Sequence, residues 1–524
     1  MEKVRRVFSF KVRLNAAMLF FILPWSSPLF ADECVDRAAP NRSKTYAIHV
    51  DSSSSLRHLQ PEFFGFNLLR TEFQLSLWDS ERRQVVPEAV EWLRAFPGAV
   101  YRFPGGHEAS FTDWRNTVGL ATARVPEKSV DWLGPKTVEF GLREYLEFVQ
   151  TVGGQAWYVL NLFGRLGNEQ TATQMSAEAG ELAAYWSRLS AAGLPQPFRW
   201  ELGNELDRDR FRWNPGQYNS TAKAVMGAVM QHVPKARFVA MSQDWEASRA
   251  RWGLDTTAFN RAVGSGLGQQ TAEFAAHLYY DNLPWGLPIP KEILHYCRNL
   301  RDISSTRTSP SEFWITEHAR TPAGEGNDPI PKHNWPQTAD LNAAVSVADM
   351  VIALAAQPAV RGAFLHALHG SKGPWPLLHR RSDGSIVPSA VYWALRILRD
   401  AMPEVAVATR IESANKSGYA GGYDLRAIAL ADIKRTRHVI WLVNRAASNL
   451  SIALVMPVLA NATVAADVTW IAEEEGTANN YTGIKVRPRR APRVLRFDAQ
   501  GRTALDVAGN AVMTVVIPAP AANR

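Results

Sequence analysis

From Phe63 to Met402, short apolar runs bounded by polar, Gly or Pro residues alternate with longer stretches whose apolar positions recur at the period of a helix. Eight runs can be marked: Phe63 to Leu68, Ala99 to Phe103, Gln155 to Leu160, Phe198 to Leu202, Arg237 to Met241, Glu273 to Leu278, Glu312 to Thr316 and Gly362 to His366. Helix-period stretches fall at Val86 to Phe96, Val138 to Val152, Ser176 to Ala191, Pro215 to His232, Lys291 to Ile303, Ala339 to Ala356 and, after the last run, Pro388 to Met402. This is the alternation of βαβ units in a parallel sheet. Eight units, starting about forty residues apart, predict an α/β fold of the (β/α)8 TIM-barrel type rather than an open doubly wound sheet.

After Met402 the pattern changes to strand-like runs without helices: Val405 to Ile411, Leu425 to Ile433, Arg437 to Val443, Ser451 to Val458, Thr463 to Ile471 and Val512 to Ile517. They predict an all-β sandwich, to which Thr45 to Val50 can add a strand.

The first thirty residues belong to neither unit. Lys3, Arg5, Arg6, Lys11 and Arg13 precede the apolar run Leu14 to Leu23, and Leu29-Phe30-Ala31 offers a small-residue cleavage site. The segment reads as an export signal; the run falls short of the ~20 residues of a spanning anchor. The expected organisation is a signal peptide at 1–31, a catalytic barrel at 32–402 and a β-sandwich at 403–524, in a protein secreted or held in a periplasm.

Composition changes this picture little. The 524 residues are 46% hydrophobic and 21% charged, an ordinary globular balance. Without the leader the chain has 53 basic and 49 acidic residues, so the formal charge falls from +8 to +4. The Arg208, Arg210 and Arg212 stretch can suit an acidic polymer but reads first as solvated surface charge, and no nucleic-acid motif accompanies it. Two cysteines, Cys34 and Cys297, exclude a disulfide scaffold and a thiolate metal site. They can pair only if their Cα atoms approach within ~7 Å, which the sequence does not give.

Chemistry in such a barrel is carried at the C-terminal strand ends. Glu205 closes the run Arg199-Trp200-Glu201-Leu202-Gly203-Asn204-Glu205 after the fourth strand, and Glu317 closes Phe313-Trp314-Ile315-Thr316-Glu317 after the seventh. Strands three units apart face each other across the mouth. Two carboxyl groups ~5 to 5.5 Å apart are what retaining glycoside hydrolysis needs, one protonating the leaving oxygen and the other attacking the anomeric carbon. An ionised Glu317 is expected to disfavour ionisation of Glu205 and keep it a proton donor near neutral pH.

Other residues group around the pair. Asn204 can offer an amide to a sugar hydroxyl. His277 and Tyr279 share one face of the sixth strand, where a tyrosine hydroxyl can orient the nucleophile. Arg102 can brace a carboxylate or form a buried structural ion pair. Trp114, Trp157, Trp314 and Trp375 fall in or beside strand-end loops, where some can stack on sugar rings although most tryptophans are core. A metal-dependent alternative rests on His366, His369 and His379, which lack the second cluster of a catalytic zinc site.

These residues resemble clan A glycoside hydrolases, most nearly the group containing families 51, 39 and 79. Gly203-Asn204-Glu205 matches the family 51 acid/base motif, His277, Tyr279 and Tyr280 its sixth-strand run, Arg102 to Gly106 its Arg-aromatic-Pro-Gly-Gly turn, and Glu317 its nucleophile. The resemblance implies a retaining mechanism through a covalent glycosyl-enzyme, with no metal or organic cofactor and a poly- or oligosaccharide partner. The chain also departs from it. Family 51 usually has a glutamate where Leu69 stands, Asn or Cys where His107 stands, and Trp-Asn where His318-Ala319 follow Glu317. Arabinofuranosidase, β-glucuronidase, β-xylosidase and endo-glycanase activities all remain expectations. A barrel that binds carbohydrate without turning it over is the alternative.

Overall fold

A computed structural model describes residues 35–519 except 129–134, 209, 244–254, 269, 285, 326–330, 371–372, 420, 482 and 484; the expected export segment and Cys34 lie outside the described residues. Eight parallel strands close into a barrel: β1 (Phe64–Asn67), β2 (Val100–Phe103), β3 (Gln155–Leu160), β4 (Pro197–Leu202), β5 (Phe238–Met241), β6 (Glu273–Tyr280), β7 (Glu312–Arg320) and β8 (Val360–His366). β3 pairs with β4 and β8 with β1, completing the ring.

Strand alternation divides the side chains between two cores. Tyr101, Phe103, Trp200 and Leu202 join the layer beneath the surrounding helices, whereas Val100, Trp157, Val159, Trp314 and Phe364 fill the barrel interior. Gly65 is required there, because a Cβ would lie 2.0 Å from the Phe364 ring. Above this apolar plug the interior turns polar, with Asn67, Arg102, Glu201, His277, Thr316 and His366 all buried.

The helix-period stretches form helices within a few residues of their expected ends, Pro215–His232 without a difference. Two helices carry too little pattern to be marked from sequence: Arg70–Leu77 and Thr256–Leu267. β6 and β7 run further than expected, so Tyr279 and Glu317 lie within strands instead of just beyond them. A bulge makes this possible. Ala276 pairs with Ile315 but His277 pairs with Glu317, so one extra residue in β7 re-aims the Glu317 side chain at the mouth.

The eight strands after Met402, together with Asn41–Arg42 and Ala47–His58, form one continuous ten-stranded, mostly antiparallel sheet. It encloses its own apolar cluster, in which Leu495 near one edge and Leu505 near the other take part, so the sheet folds over on itself as a sandwich would. The Ala47–His58 segment is a strand of this sheet, antiparallel to Val405–Ser413 and parallel to Leu450–Val455. Arg489–Arg496 and Arg502–Val507 escape the sequence pattern, being charged, and Pro492 interrupts the first.

Barrel and sheet belong to one compact unit. A buried ionic network joins them: Arg445 of the sheet reaches Asp281 after β6 at 2.8 Å and Asp349 of the helix Leu341–Ala355 at 2.7 Å. Arg426 also pairs with Asp349, and Tyr419 donates to Asp281 at 2.7 Å. Cys297, buried in the helix Ile289–Ser304, is disulfide-bonded. Among the described residues no single helix is long and apolar enough to cross a membrane.

Removing one member of a buried ion network leaves an uncompensated charge. Arg445→Met is therefore expected to lower the unfolding free energy by about 3–5 kcal/mol, read as the shift in denaturant midpoint; an unchanged midpoint contradicts this role.

Candidate active site

The turn after β4 is tightly specified. Gly203 has φ +79°, and a Cβ there would come within 2.8 Å of Leu206. Glu205 itself adopts φ +48°, a left-handed conformation uncommon outside glycine. Backbone bonds from Arg208 N to Glu205 O (3.0 Å) and from Trp213 N to Leu206 O (2.9 Å) hold the turn closed. Strain of this kind is concentrated where a side chain must be held in one place.

Across the mouth, Glu317 is almost fully enclosed. Its Oε1 accepts from Arg102 at 2.8 Å and from Asn67 at 3.1 Å, and its Oε2 accepts from the Tyr279 hydroxyl at 2.6 Å. Burial raises its pKa, but His277, His366 and Arg102 outweigh burial and the repulsion of Glu205 and bring it down to about 2. Glu317 is thus ionised and oriented, the state a nucleophile needs. Tyr279 stays a neutral donor, because burial and both glutamates push its pKa well up.

Glu205 bonds His277 Nδ1 at 2.8 Å through Oε1 and His107 Nε2 at 3.1 Å through Oε2, while Arg208 approaches Oε1 at 3.2 Å. One carboxylate oxygen of Glu205, one of Glu317 and a His277 ring nitrogen lie within 4.8 Å of one another. Carboxylates this close are compatible with the ~5 to 5.5 Å separation of a retaining pair.

The electrostatics correct one expectation. Burial raises the Glu205 pKa, yet Arg208 and the bonds from His107 and His277 hold it well below the usual carboxylate range. Proximity to Glu317 does not decide its state, because three nitrogen groups on Glu205 outweigh one carboxylate.

Arg102 serves both roles the sequence left open. Its guanidinium grips Glu201 with two bonds, 2.7 and 2.9 Å, and also reaches Glu317 and, at 2.7 Å, the Asn204 side-chain oxygen. With its oxygen so engaged, Asn204 keeps its amide NH2 as a donor group. Glu201, which the sequence reading passed over, also accepts from Trp157 Nε1 at 2.6 Å. Its signal was the β4 alternation that also turns Arg199 inward. Asn67 was legible in the same way, as the inward residue two beyond Gly65.

Trp157 and Trp314 belong to the barrel core and Trp114 packs against Tyr185, so none of these is at the mouth. Trp375 is there: its ring lies 5.8 Å from Tyr279 and 5.1 Å from His366. The three histidines after β8 diverge. His366 faces Asn67 and Glu317, His369 pairs with Glu72 at 3.0 Å, and His379 stacks on Tyr481. Among the described residues the one triad with metal-ligand spacing is Glu205, His277 and Glu317. Arg208, expected as surface charge, is mostly buried against Glu205, whereas Arg210 and Arg212 are exposed.

A family model described as Alpha-L-arabinofuranosidase 1 domain matches residues 92–282, a span that holds Arg102, Asn204, Glu205, His277 and Tyr279 and ends before Glu317. The chain is 28% identical over 187 residues to an intracellular exo-alpha-(1->5)-L-arabinofuranosidase of Streptomyces lividans, covering 31% of this chain and 27% of that one. It spans about a quarter of the length of the curated relatives it matches. In fold it is similar to the alpha-L-arabinofuranosidase of Thermotoga maritima, with TM-score 0.73, 17% identity, and coverage of 90% of this chain and all of that one. A family 51 alpha-L-arabinofuranosidase of Bifidobacterium longum gives TM-score 0.72 at 16% identity, with 90% and 99% coverage. The resemblance to family 51 glycoside hydrolases of clan A thus holds in sequence over the first part of the barrel and in fold over nearly the whole chain.

Two outcomes follow from the Glu317 contacts and the charges on Glu205. The Tyr279 bond favours the ionised nucleophile, so Tyr279→Phe is expected to move the acid limb of kcat/KM upward from about pH 2 and to lower kcat by about 10²-fold; an unmoved limb contradicts this role. A depressed Glu205 pKa means that its protonated fraction grows as pH falls. In wild type, kcat/KM for a neutral substrate with a poor leaving group is expected to rise from pH 7 toward pH 4.5, and a flat profile contradicts it.

Proposed function

We propose that the protein is a retaining glycoside hydrolase of the α-L-arabinofuranosidase type, acting on an arabinose-containing oligo- or polysaccharide. The observation that carries the reading is the pair Glu205 and Glu317 on opposite strand ends, with carboxylate oxygens within 4.8 Å. Support for the substrate class comes from the likeness to arabinofuranosidases in sequence and fold.

Glu205, carrying a proton, donates it to the glycosidic oxygen as Glu317 Oε2 attacks the anomeric carbon. The C–O bond to the leaving group breaks, and a glycosyl ester forms on Glu317. Glu205, now ionised, takes a proton from water, whose oxygen attacks the same carbon and releases the sugar and the free Glu317 carboxylate. Asn204 and Arg102 hold the geometry between the two steps. The glycone pocket is this chain's own. Leu69 lies beside Gly106, one of its methyls 3.3 Å from where a Cβ of residue 106 would stand, and it offers no carboxylate to a sugar hydroxyl. Residues 1–31 are proposed to export the chain from the cytoplasm, to a periplasm or the medium.

A metal-assisted reading has one observation in its favour, the ligand spacing of Glu205, His277 and Glu317. Against it, Arg102 and Arg208 already place positive charge on both carboxylates, which leaves a cation poorly compensated. Turnover unchanged after dialysis against a chelator separates the two.

Glu317→Ala is expected to abolish hydrolysis of every glycoside. Glu205→Gln is expected to lower kcat by about 10²–10⁴-fold for a poor leaving group and far less for an activated aryl one. Equal losses for both leaving groups contradict the acid role, and turnover by Glu317→Ala contradicts the nucleophile. Sugar binding without any turnover by the wild type favours the non-catalytic barrel.

A further inference from the structure

Glu205 faces charge on every side of the mouth: His107 from the loop after β2, Asp207 and Arg208 from its own turn, His277 and Tyr279 from β6, Glu317 from β7 and His366 from β8. Two of these, His107 and Arg208, bond Glu205 from loops, and the residues that grip Glu317 are different ones: Arg102, Asn67 and Tyr279. An acid/base must lie beside the leaving group, so cations on its flank line the leaving-group side of the cleft.

Both cations are held firmly. Glu108, next to His107, is anchored by the Thr71 backbone N–H at 3.0 Å, and Arg208 begins a turn closed by bonds to its carbonyl from Phe211 (2.8 Å) and Arg212 (2.8 Å). The two loops are clasped through Phe111, Phe163 and Phe211, with ring centroids 4.8 to 5.6 Å apart. Arg208 keeps 16% of its side chain exposed and His107 keeps 39%. Neither is what a general acid needs: the Arg208 guanidinium at 3.2 Å and the His107 ring nitrogen at 3.1 Å both favour the ionised carboxylate, which cannot donate.

We propose that His107 and Arg208 form a subsite for an anionic leaving group, a sugar bearing a carboxylate, so that the preferred substrate is a glycoside of a uronate. This rests on the retaining-glycosidase reading above and adds the class of aglycone. A carboxylate accepts from the Arg208 fork and from His107 in geometry that a neutral hydroxyl cannot match. Its negative charge beside Glu205 also raises the proton affinity of that carboxyl, so the substrate's own charge arms its departure.

The test compares two arabinofuranosides of poor leaving groups matched in linkage, one of a hexose and one of the corresponding hexuronate, with an activated aryl arabinofuranoside as a third substrate. Wild type is expected to favour the uronate by ~10- to 100-fold in kcat/KM, the range of charge-assisted hydrogen bonds, with the preference shrinking as ionic strength rises. Arg208→Met and, independently, His107→Asn are each expected to reduce that preference and to move the falling limb of the hexoside pH profile upward. Equal wild-type rates on hexoside and hexuronate, or a preference that survives both substitutions, overturn the subsite while aryl turnover leaves the glycosidase reading standing. Failure to cleave all three overturns both.

Discussion

One buried guanidinium organises the mouth of this barrel. Arg102 is fully enclosed and holds two carboxylates, the bidentate partner Glu201 and the proposed nucleophile Glu317. Burying three charges together is tolerable only when each is paired and hydrogen-bonded. Glu201 is tied also by Trp157, Glu317 by Asn67 and Tyr279, and the second face of the guanidinium by Asn204. These partners come from five different strands or their ends, β1, β2, β3, β4 and β6, and meet the nucleophile of β7. The barrel has to close in one register for the network to exist, so fold and site specify each other.

Around this fixed nucleophile the acid/base is held differently. Glu205 is on a strained turn, less enclosed, and its partners are two histidines and an arginine. A rigid carboxylate of low proton affinity opposite one whose proton affinity depends on its neighbours gives a natural division of labour. His277 lies between the two, bonded to Glu205 at 2.8 Å, 3.7 Å from Glu317 and braced by Thr316 at 3.1 Å.

Much of this was legible in the chain. Short apolar runs located all eight strands, and a strand-end rule with unit spacing singled out Glu205, Glu317, Arg102, Asn204, His277 and Tyr279, which the structure brings together. The misses share a cause. Periodicity marks residues that bury apolar surface, so it passed over Asn67 and Glu201, polar residues buried in the barrel's upper layer, and the charged strand Arg489–Arg496. The bulge that turns Glu317 inward leaves no trace in composition. Arg208 read as surface charge because a sequence gives no sign of whether an arginine faces solvent or a carboxylate. The proton state of Glu205 was misjudged for the same reason: the pair was visible, but the cations around it were not.

The central claim is that Glu317 attacks the sugar while Glu205 manages the proton. It is tested most directly by incubating the wild-type protein with a 2-fluoro arabinofuranoside bearing an activated leaving group, then digesting it and mapping the mass increment. The account predicts one sugar per chain, ester-linked to the peptide at Glu317. Continued turnover of the fluoro sugar without a covalent adduct, or a label carried by a residue other than Glu317, contradicts it.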